Sequence, residues 1–369
     1  MLKKTVTGVF IMAASFAAGA SVLPQLPVPF KSGTGVIDGK VIYVGLGSAG
    51  KTWYKLDTGS PEKKWEPVAE FPGTPREQST SAVINGSIYV FGGVEKNENG
   101  LTQACNDVYM YNPSENVWRK LMSHSPLGMV GHVTWVHDGK VFITGGVNQN
   151  IFNGYFSDIA LAGGNKTLLD GINKNYFGKS ASDYLYSNTI LTFDPDSSQW
   201  HYYGMLPFHG TAGATPVVNG DSIILINGEV KPGLRTDEVI AGHFKNKGLV
   251  WKKLSPVSSP DGVAGGFGGM SHGDIIFAGG AYFPGSKRNY SQGRFYAHQG
   301  LRKTYSDKVY LYKKGTWSDV GTLPEGIAYG VSLPWENGLL MIGGETDGGQ
   351  ATTDSVWLGV NNSYLEIKK

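Results

Sequence analysis

The stretch Gly86-Ser-Ile-Tyr-Val-Phe-Gly-Gly93 decides the fold, because it places a glycine turn before a short β-forming run and a glycine pair after it. Such a run bounded by glycines is typical of a buried strand between two turns. The same pattern occurs six times along the chain, and its closing glycines are 46 to 82 residues apart. The other five copies end at Gly47, Gly146, Gly228, Gly280 and Gly344.

Further strands flank each copy. A strand of small residues, such as Ser81-Ala-Val-Ile84, precedes the glycine turn, and a strand with aromatic residues, such as Val108-Tyr-Met-Tyr111, follows the glycine pair. A diglycine recurring about every fifty residues is typical of Kelch repeats, in which each repeat forms one four-stranded blade. We therefore predict an all-β fold, a six-bladed β-propeller. In five repeats a tryptophan opens the outermost strand: Trp65, Trp118, Trp200, Trp251 and Trp317.

The sixth repeat lacks this tryptophan, so another segment must complete its blade. Val22-Leu-Pro-Gln-Leu-Pro27 resembles the segments that follow each tryptophan, and we predict that it supplies the missing strand. The alternative is that residues 363–367 supply it. Either arrangement joins the two chain ends in one blade, which closes the ring and removes exposed strand edges.

The first twenty residues predict a signal peptide, because Lys3 and Lys4 precede an apolar run and Ala18-Gly-Ala20 ends it. Residues 21–369 then form a single propeller domain without a membrane anchor. The two lysines account for the net charge of +2, so the exported part is neutral and has no general attraction for nucleic acid. The one cysteine, Cys105, is expected to be a small buried residue.

Two insertions follow glycine pairs, at about residues 147–188 and 281–306. Both are predicted on the face that also carries the connections between blades, so they would wall one side of the channel mouth. Insertions this long inside a domain are more often functional than idle. They could instead be lids or the contacts of a homodimer.

Between these insertions, Glu229 directly follows the glycine that ends a buried strand. Pro232 and Gly233 predict a turn that returns Arg235 toward this carboxylate. Glu345 occupies the equivalent position in the sixth repeat, and Arg76 lies on a connection of the same face as a second candidate cation. A carboxylate can take and return a proton, and an arginine binds carboxylates through two parallel hydrogen bonds.

The sequence contains four distinctive segments, Glu229-to-Arg235, Gly145-to-Phe156, Ser258-to-Gly266 and Arg302-to-Ser306. They resemble segments of the N-acetylneuraminate epimerases, and the resemblance covers nearly the whole chain. It implies a periplasmic enzyme that interconverts the α and β anomers of free sialic acid, with Glu229 as proton acceptor and Arg235 assisting. Arg76, Glu345 and Arg302 are candidates for substrate binding, and neither a metal nor another cofactor is expected.

Other functions fit the same fold. A non-catalytic periplasmic Kelch propeller that binds a glycan or a protein is the main alternative, since fold alone does not choose a function. A copper oxidase of the Kelch type would need a Cys–Tyr cross-link and histidine ligands, for which Cys105 is a poor candidate. A sialidase would carry Ser-x-Asp-x-Gly-x-x-Trp boxes, which the sequence lacks.

Overall fold

The computed structural model describes residues 23–246, 248–259, 261–361 and 364–369. The main regular structure consists of six antiparallel sheets of four strands, each arranged in sequence order. Sheet 1 contains Thr34–Asp38, Val41–Gly45, Trp53–Asp57 and Glu66–Pro67. Sheet 2 contains Thr80–Ile84, Ser87–Phe91, Asp107–Asn112 and Val117–His124. Sheet 3 contains His132–His137, Lys140–Gly145, Thr189–Asp194 and Gln199–Met205.

The remaining three sheets have the same order. Sheet 4 contains Thr215–Asn219, Ser222–Ile226, Val239–Lys245 and Gly248–Leu254. Sheet 5 contains Phe267–Ser271, Asp274–Ala278, Lys308–Lys313 and Thr316–Thr322. Sheet 6 contains Val331–Trp335, Gly338–Ile342, Ser355–Asn361 and Tyr364–Lys368. The prediction of an all-β fold is confirmed.

The glycine turns of the repeats join the first two strands of each sheet. In sheet 2, Asn85 and Gly86 both have left-handed backbone angles, with φ of 51° and 72°, as a two-residue hairpin turn requires. The second strand then becomes the most buried one; four of the five residues of Ser87–Phe91 are buried.

Six hydrophobic clusters of described residues hold the sheets together, and each cluster lies between two sheets. Five of them join consecutive sheets, from sheet 1 to sheet 6. The sixth joins sheet 6 back to sheet 1, for example through Ile342 and Ile42. Each sheet buries its faces against its neighbours, so the stability of the domain depends on contacts between sheets.

The backbone just before each first strand links neighbouring sheets in the same cyclic order. The residues there have left-handed φ values between 54° and 68°. Backbone hydrogen bonds of 2.7–2.8 Å connect five of the six neighbouring pairs, including Ser32 of sheet 1 to Tyr329 of sheet 6. The six residues are Ser32, Gln78, Gly131, Gly213, Gly265 and Tyr329.

The predicted tryptophans lie in or directly before the outermost strands; Trp251 lies in the middle of its strand rather than at its start. The indole N–H of Trp118 donates to the Ala69 carbonyl at 2.8 Å, and that of Trp317 donates to the Ser255 carbonyl at 2.9 Å. Trp118 also packs against Trp53 of sheet 1, with ring centroids 5.2 Å apart. These residues are therefore structural.

The prediction for the outermost strand of sheet 6 is wrong. Tyr364–Lys368 forms that strand, paired with Ser355–Asn361, whereas the amino-terminal segment does not. Leu26 and Phe30 instead donate backbone hydrogen bonds to Thr353 and Thr352, at 2.9 Å each. The alternative strand at residues 363–367 is thus confirmed, apart from Ser363, which lies outside the described residues. The predicted signal peptide and Val22 also lie outside the described residues.

The insertion at residues 147–188 contains helices α1 (Gln149–Leu161) and α2 (Lys166–Phe177) and a short 3-10 turn (Ala181–Tyr184). The side chains of Asn148 and Asn165 cap the two helices by accepting hydrogen bonds from the first-turn backbone. The second insertion carries helix α3, Ser286–Ser291. In the described part of the chain, no helix has the length and apolar character needed to span a membrane.

Short extra strands extend the connections between the second and third strands of four sheets. Each of these connections contains one pair of short strands. Three pairs form two-stranded hairpins, and the fourth pair forms a three-stranded sheet together with Arg76–Glu77. The hairpins are Glu229–Lys231 with Leu234–Arg235, Ala281–Tyr282 with Thr304–Tyr305, and Glu345–Thr346 with Gln350–Ala351. The other pair of strands is Val94–Lys96 with Thr102–Ala104.

Candidate active site

The hairpin of sheet 4 brings Glu229 and Arg235 together as cross-strand partners. Its turn is Pro232-Gly233, and Gly233 has a φ of 80°, which suits the third position of a type II turn. A side chain at Gly233 would also collide with the imidazole of His298, since its Cβ would lie 1.8 Å from Nδ1. The turn predicted from the sequence is therefore present, and the packing requires its glycine.

The Glu229 carboxylate is partly buried and accepts hydrogen bonds on both oxygens. Oε2 forms an ion pair with Nη2 of Arg235 at 2.8 Å and lies 3.3 Å from the Gly233 backbone N–H. Oε1 accepts a hydrogen bond from the Tyr186 hydroxyl at 3.3 Å. The side chain of Glu229 is 19% exposed, so the carboxylate is held by the protein and can still be reached by a ligand.

Arg235 is almost completely buried beneath this carboxylate. Its guanidinium lies over the Phe283 ring, 5.0 Å from the centroid. Burial lowers the pKa of Arg235, but the negative charge of Glu229 outweighs this and raises it, so the residue stays cationic. Among the described residues, Nε and Nη1 of Arg235 have no hydrogen-bond partner. Buried donors without partners are uncommon.

Lys231 joins the hairpin to both insertions. Its side chain is fully buried, and Nζ donates to the carbonyls of Phe177 at 2.8 Å, Lys179 at 2.7 Å and Phe295 at 2.5 Å. Phe177 and Lys179 belong to the end of the first insertion's second helix and the residues after it, and Phe295 belongs to the second insertion. Burial lowers the pKa of Lys231 to about 8, so its ammonium is charged at neutral pH.

Aromatic rings complete the contact between the two insertions. Phe177 stacks on Tyr296 with centroids 4.9 Å apart and meets the edge of His298 at 5.0 Å. The hydroxyl of Tyr290 accepts a hydrogen bond of 2.8 Å from the Ala181 backbone. Burial, with the nearby cations Arg235 and Lys231, lowers the pKa of His298 to about 4, so this ring is neutral at pH 7.

A cleft of about 540 Å³ borders Arg235. It is lined in part by His209, Lys287 and Arg288, and the ammonium of Lys287 pairs with Asp237 at 2.6 Å. The cleft gives a polar ligand a basic approach to the buried guanidinium.

Glu345 lies at the equivalent position in sheet 6, but its surroundings differ. The backbone of Glu229 forms an isolated antiparallel β-bridge with Ala212, and the backbone of Glu345 forms the same bridge with Ala328. Burial raises the pKa of Glu345, but hydrogen bonds from Lys303, Lys31 and Tyr305 outweigh it and hold the value at about 2. The carboxylate of Glu345 is thus an anion whose two oxygens already accept hydrogen bonds from two lysines and a tyrosine.

The structure does not bring the other two candidate cations to Glu229. Arg76 is buried in a separate cluster, where it pairs with Glu95 at 2.8 Å and with Asp107 at 2.6 Å. Arg302 is 76% exposed and binds both carboxylate oxygens of Asp347. Both arginines therefore have acidic partners of their own.

Sequence reasoning missed Tyr186 and Lys231 as members of the site. Tyr186 lies at the end of the first insertion, where Ser187 donates a backbone hydrogen bond of 2.9 Å to Gly146. The only signal for Lys231 was its place inside the Glu229-to-Arg235 segment, two residues from the carboxylate. Neither contact follows from local spacing, because the partners come from different sheets.

Comparison with known proteins gives the class. Residues 23–367 match the family model described as N-acetylneuraminate epimerase. Proteins of that name from Escherichia coli (strain K12) and Shigella flexneri serotype 5b (strain 8401) are each 58% identical over 367 residues, covering 100% of both chains. The solved structure of YjhT superposes with a TM-score of 0.93 at 58% identity, covering 95% of this chain and 100% of that one.

An all-β fold with a buried carboxylate–guanidinium pair, together with these relatives, defines an isomerase of the epimerase class. The chain belongs to the N-acetylneuraminate epimerase family.

Proposed function

We propose that the chain interconverts the α and β anomers of free N-acetylneuraminate, with Glu229 as the proton acceptor and Arg235 as the assisting cation. The observation that carries this assignment is the ion pair of 2.8 Å between the two side chains, in which Arg235 also borders the cleft. Family membership supplies the substrate, and the contrast with Glu345 supports Glu229 as the base.

The substrate is a cyclic hemiketal that carries a carboxylate on its anomeric carbon. Anomerisation begins when a base removes the proton of the anomeric hydroxyl while the ring oxygen gains a proton. The bond between the anomeric carbon and the ring oxygen breaks, which leaves an open-chain ketone. Rotation exposes the other face of the ketone, and the reverse steps reclose the ring. Glu229 is suited to the first proton transfer because one of its oxygens accepts only a long hydrogen bond of 3.3 Å.

Arg235 suits the carboxylate of the sugar. Its Nη2 is engaged by Glu229, but Nε and Nη1 have no partner among the described residues. A free guanidinium donor can form a charge-assisted hydrogen bond to a carboxylate, and burial strengthens such a bond because water is excluded. The substrate carboxylate would then lie beside the base that removes the neighbouring proton.

We also propose that the six sheets are the blades of one Kelch-type propeller. The hydrophobic clusters and backbone bonds that run from sheet 1 to sheet 6 and back to sheet 1 support this arrangement. We propose residues 1–20 as a cleaved signal for export to the periplasm. Exposed apolar side chains on helices α1 and α2, Leu161 and Leu168, make the first insertion the surface to examine for a homodimer.

The test is the conversion of freshly released α-N-acetylneuraminate to the β anomer, followed by proton NMR. The wild-type protein should accelerate conversion over the spontaneous rate, and Glu229→Gln should remove the acceleration. Glu345→Gln is the matched control, because it alters a glutamate at the equivalent backbone position and should retain turnover. If the wild-type protein leaves the rate at the spontaneous value, a binding propeller becomes the better account.

A further inference from the structure

Ring opening needs a second proton, since the ring oxygen must gain one as the anomeric hydroxyl loses one. The donor must lie close to the base, because both oxygens are bonded to the same anomeric carbon. The Tyr186 hydroxyl meets this requirement, as it donates to Oε1 of Glu229 at 3.3 Å. The proton acceptor and this phenol are therefore separated by one hydrogen bond. This short separation is needed because the anomeric hydroxyl and the ring oxygen of the substrate are bonded to the same carbon.

Three other groups near the hairpin, Lys231, Arg235 and His298, are not suited to supply this proton. All three protons of Lys231 point to backbone carbonyls, at 2.5 to 2.8 Å. Arg235 keeps its proton because a guanidinium does not give it up near neutral pH. His298 is neutral, since burial and two cations lower its pKa to about 4.

We propose that Tyr186 is the general acid of the reaction and protonates the ring oxygen as Glu229 deprotonates the anomeric hydroxyl. This inference rests on the proposed function. In the opening step, the O–H bond of the anomeric hydroxyl breaks and its electron pair forms the ketone. The carbon–ring oxygen bond breaks, and the ring oxygen takes the phenolic proton. The proton on Glu229 then passes to the phenolate along their hydrogen bond, which restores both groups without a net change in protons.

The local structure holds this phenol in place. Tyr186 follows the 3-10 turn Ala181–Tyr184 and precedes the third strand of sheet 3, so it is fixed at both ends. Burial and the charge of Glu229 raise the pKa of Tyr186 well above its ordinary value, so the phenol is protonated throughout the neutral range. Such a weak acid matches the leaving ring oxygen, which becomes an alcohol.

The experiment compares kcat and KM for Tyr186→Phe, Tyr184→Phe and the wild-type protein by NMR. Tyr184 is the matched control, because it lies two residues away and its hydroxyl bonds to the Tyr176 carbonyl. Loss of a general acid typically costs about 100-fold or more in rate, so kcat of Tyr186→Phe should fall by that order with KM little changed. Tyr184→Phe should keep its kcat.

A second variant keeps the hydroxyl and changes only its acidity. With 3-fluorotyrosine at position 186, kcat should change by about twofold or more, because proton donation depends on the acidity of the phenol. A kcat that stays at the wild-type value in both position-186 variants would overturn the role of Tyr186. If the wild-type protein itself gives no acceleration, the proposed function fails instead, so the two failures are distinguishable.

Discussion

Lys231→Met tests whether one buried ammonium holds the two insertions over the active-site hairpin. Methionine has a similar length and fits an apolar space, but it donates no hydrogen bond. The substitution leaves three backbone carbonyls, of Phe177, Lys179 and Phe295, without the donor that they share. We expect the first insertion to separate from the hairpin more often, while the six sheets stay folded.

The magnitude follows from the burial of the group. Leaving a buried carbonyl without its donor costs about 1–3 kcal/mol, and the substitution affects three carbonyls. Lys179 and Phe295 also line a cavity of about 910 Å³, from which water can reach their carbonyls and replace part of the lost bonding. We therefore expect the lower end, about 1 kcal/mol for each carbonyl and about 3 kcal/mol together, which corresponds to about a 100-fold increase in the open population of the insertion.

Hydrogen exchange of the amides in helix α2 measures this opening. Exchange should accelerate by about 100-fold in Lys231→Met, and kcat/KM should fall because Glu229 and Arg235 lose their support. Lys287→Met is the control, since its ion pair with Asp237 is partly exposed and such pairs contribute less than about 1 kcal/mol. If helix α2 exchanges at the wild-type rate in Lys231→Met, the ammonium does not hold the insertion and the reasoning is refuted.

Two further predictions concern Glu345 and Arg235. Because the pKa of Glu345 lies near 2, below its ordinary 4.5, its contribution to stability is complete above about pH 4.5 and is lost as the pH falls toward 2. Glu345→Gln should therefore flatten the acid side of the curve of unfolding free energy against pH, measured by urea titration; an unchanged slope between pH 2 and 4.5 would contradict this. Arg235→Ala should lower kcat/KM by about tenfold to 150-fold, as expected for losing about 1.5–3 kcal/mol of charge-assisted hydrogen bonding. Arg302→Ala, at an exposed ion pair, should stay near the wild-type value, and equal losses in both arginine variants would remove the special role of Arg235.

The repeated glycines made the sheets predictable because they mark backbone positions that other residues rarely adopt. Gly92 and Gly93, for example, both have left-handed φ angles, of 58° and 105°. The strand that completes sheet 6 was misassigned because its competitor is also apolar. Leu23 and Leu26 are buried between sheets 6 and 1, and burial alone does not distinguish an extended segment beside a sheet from a strand within it.

The site was predictable only where it is local. Pro232 and Gly233 predict the turn that pairs Glu229 with Arg235, because the backbone angles that each residue favours are those of the turn itself. The Tyr186 contact spans 43 residues, and it depends on how sheets 3 and 4 pack. Arg76 was expected to be available for a ligand, but Asp107, 31 residues further along the chain, engages it at 2.6 Å.

The most direct measurement of the central claim is exchange between the two anomers at equilibrium, recorded by two-dimensional NMR. The wild-type protein should raise the rates in both directions and leave the ratio of α to β unchanged, because a catalyst does not alter an equilibrium. With Glu229→Gln, the exchange rate should return to the value of the sugar alone while the protein remains folded. Exchange as fast as with the wild-type protein would contradict the assignment of Glu229 as the base.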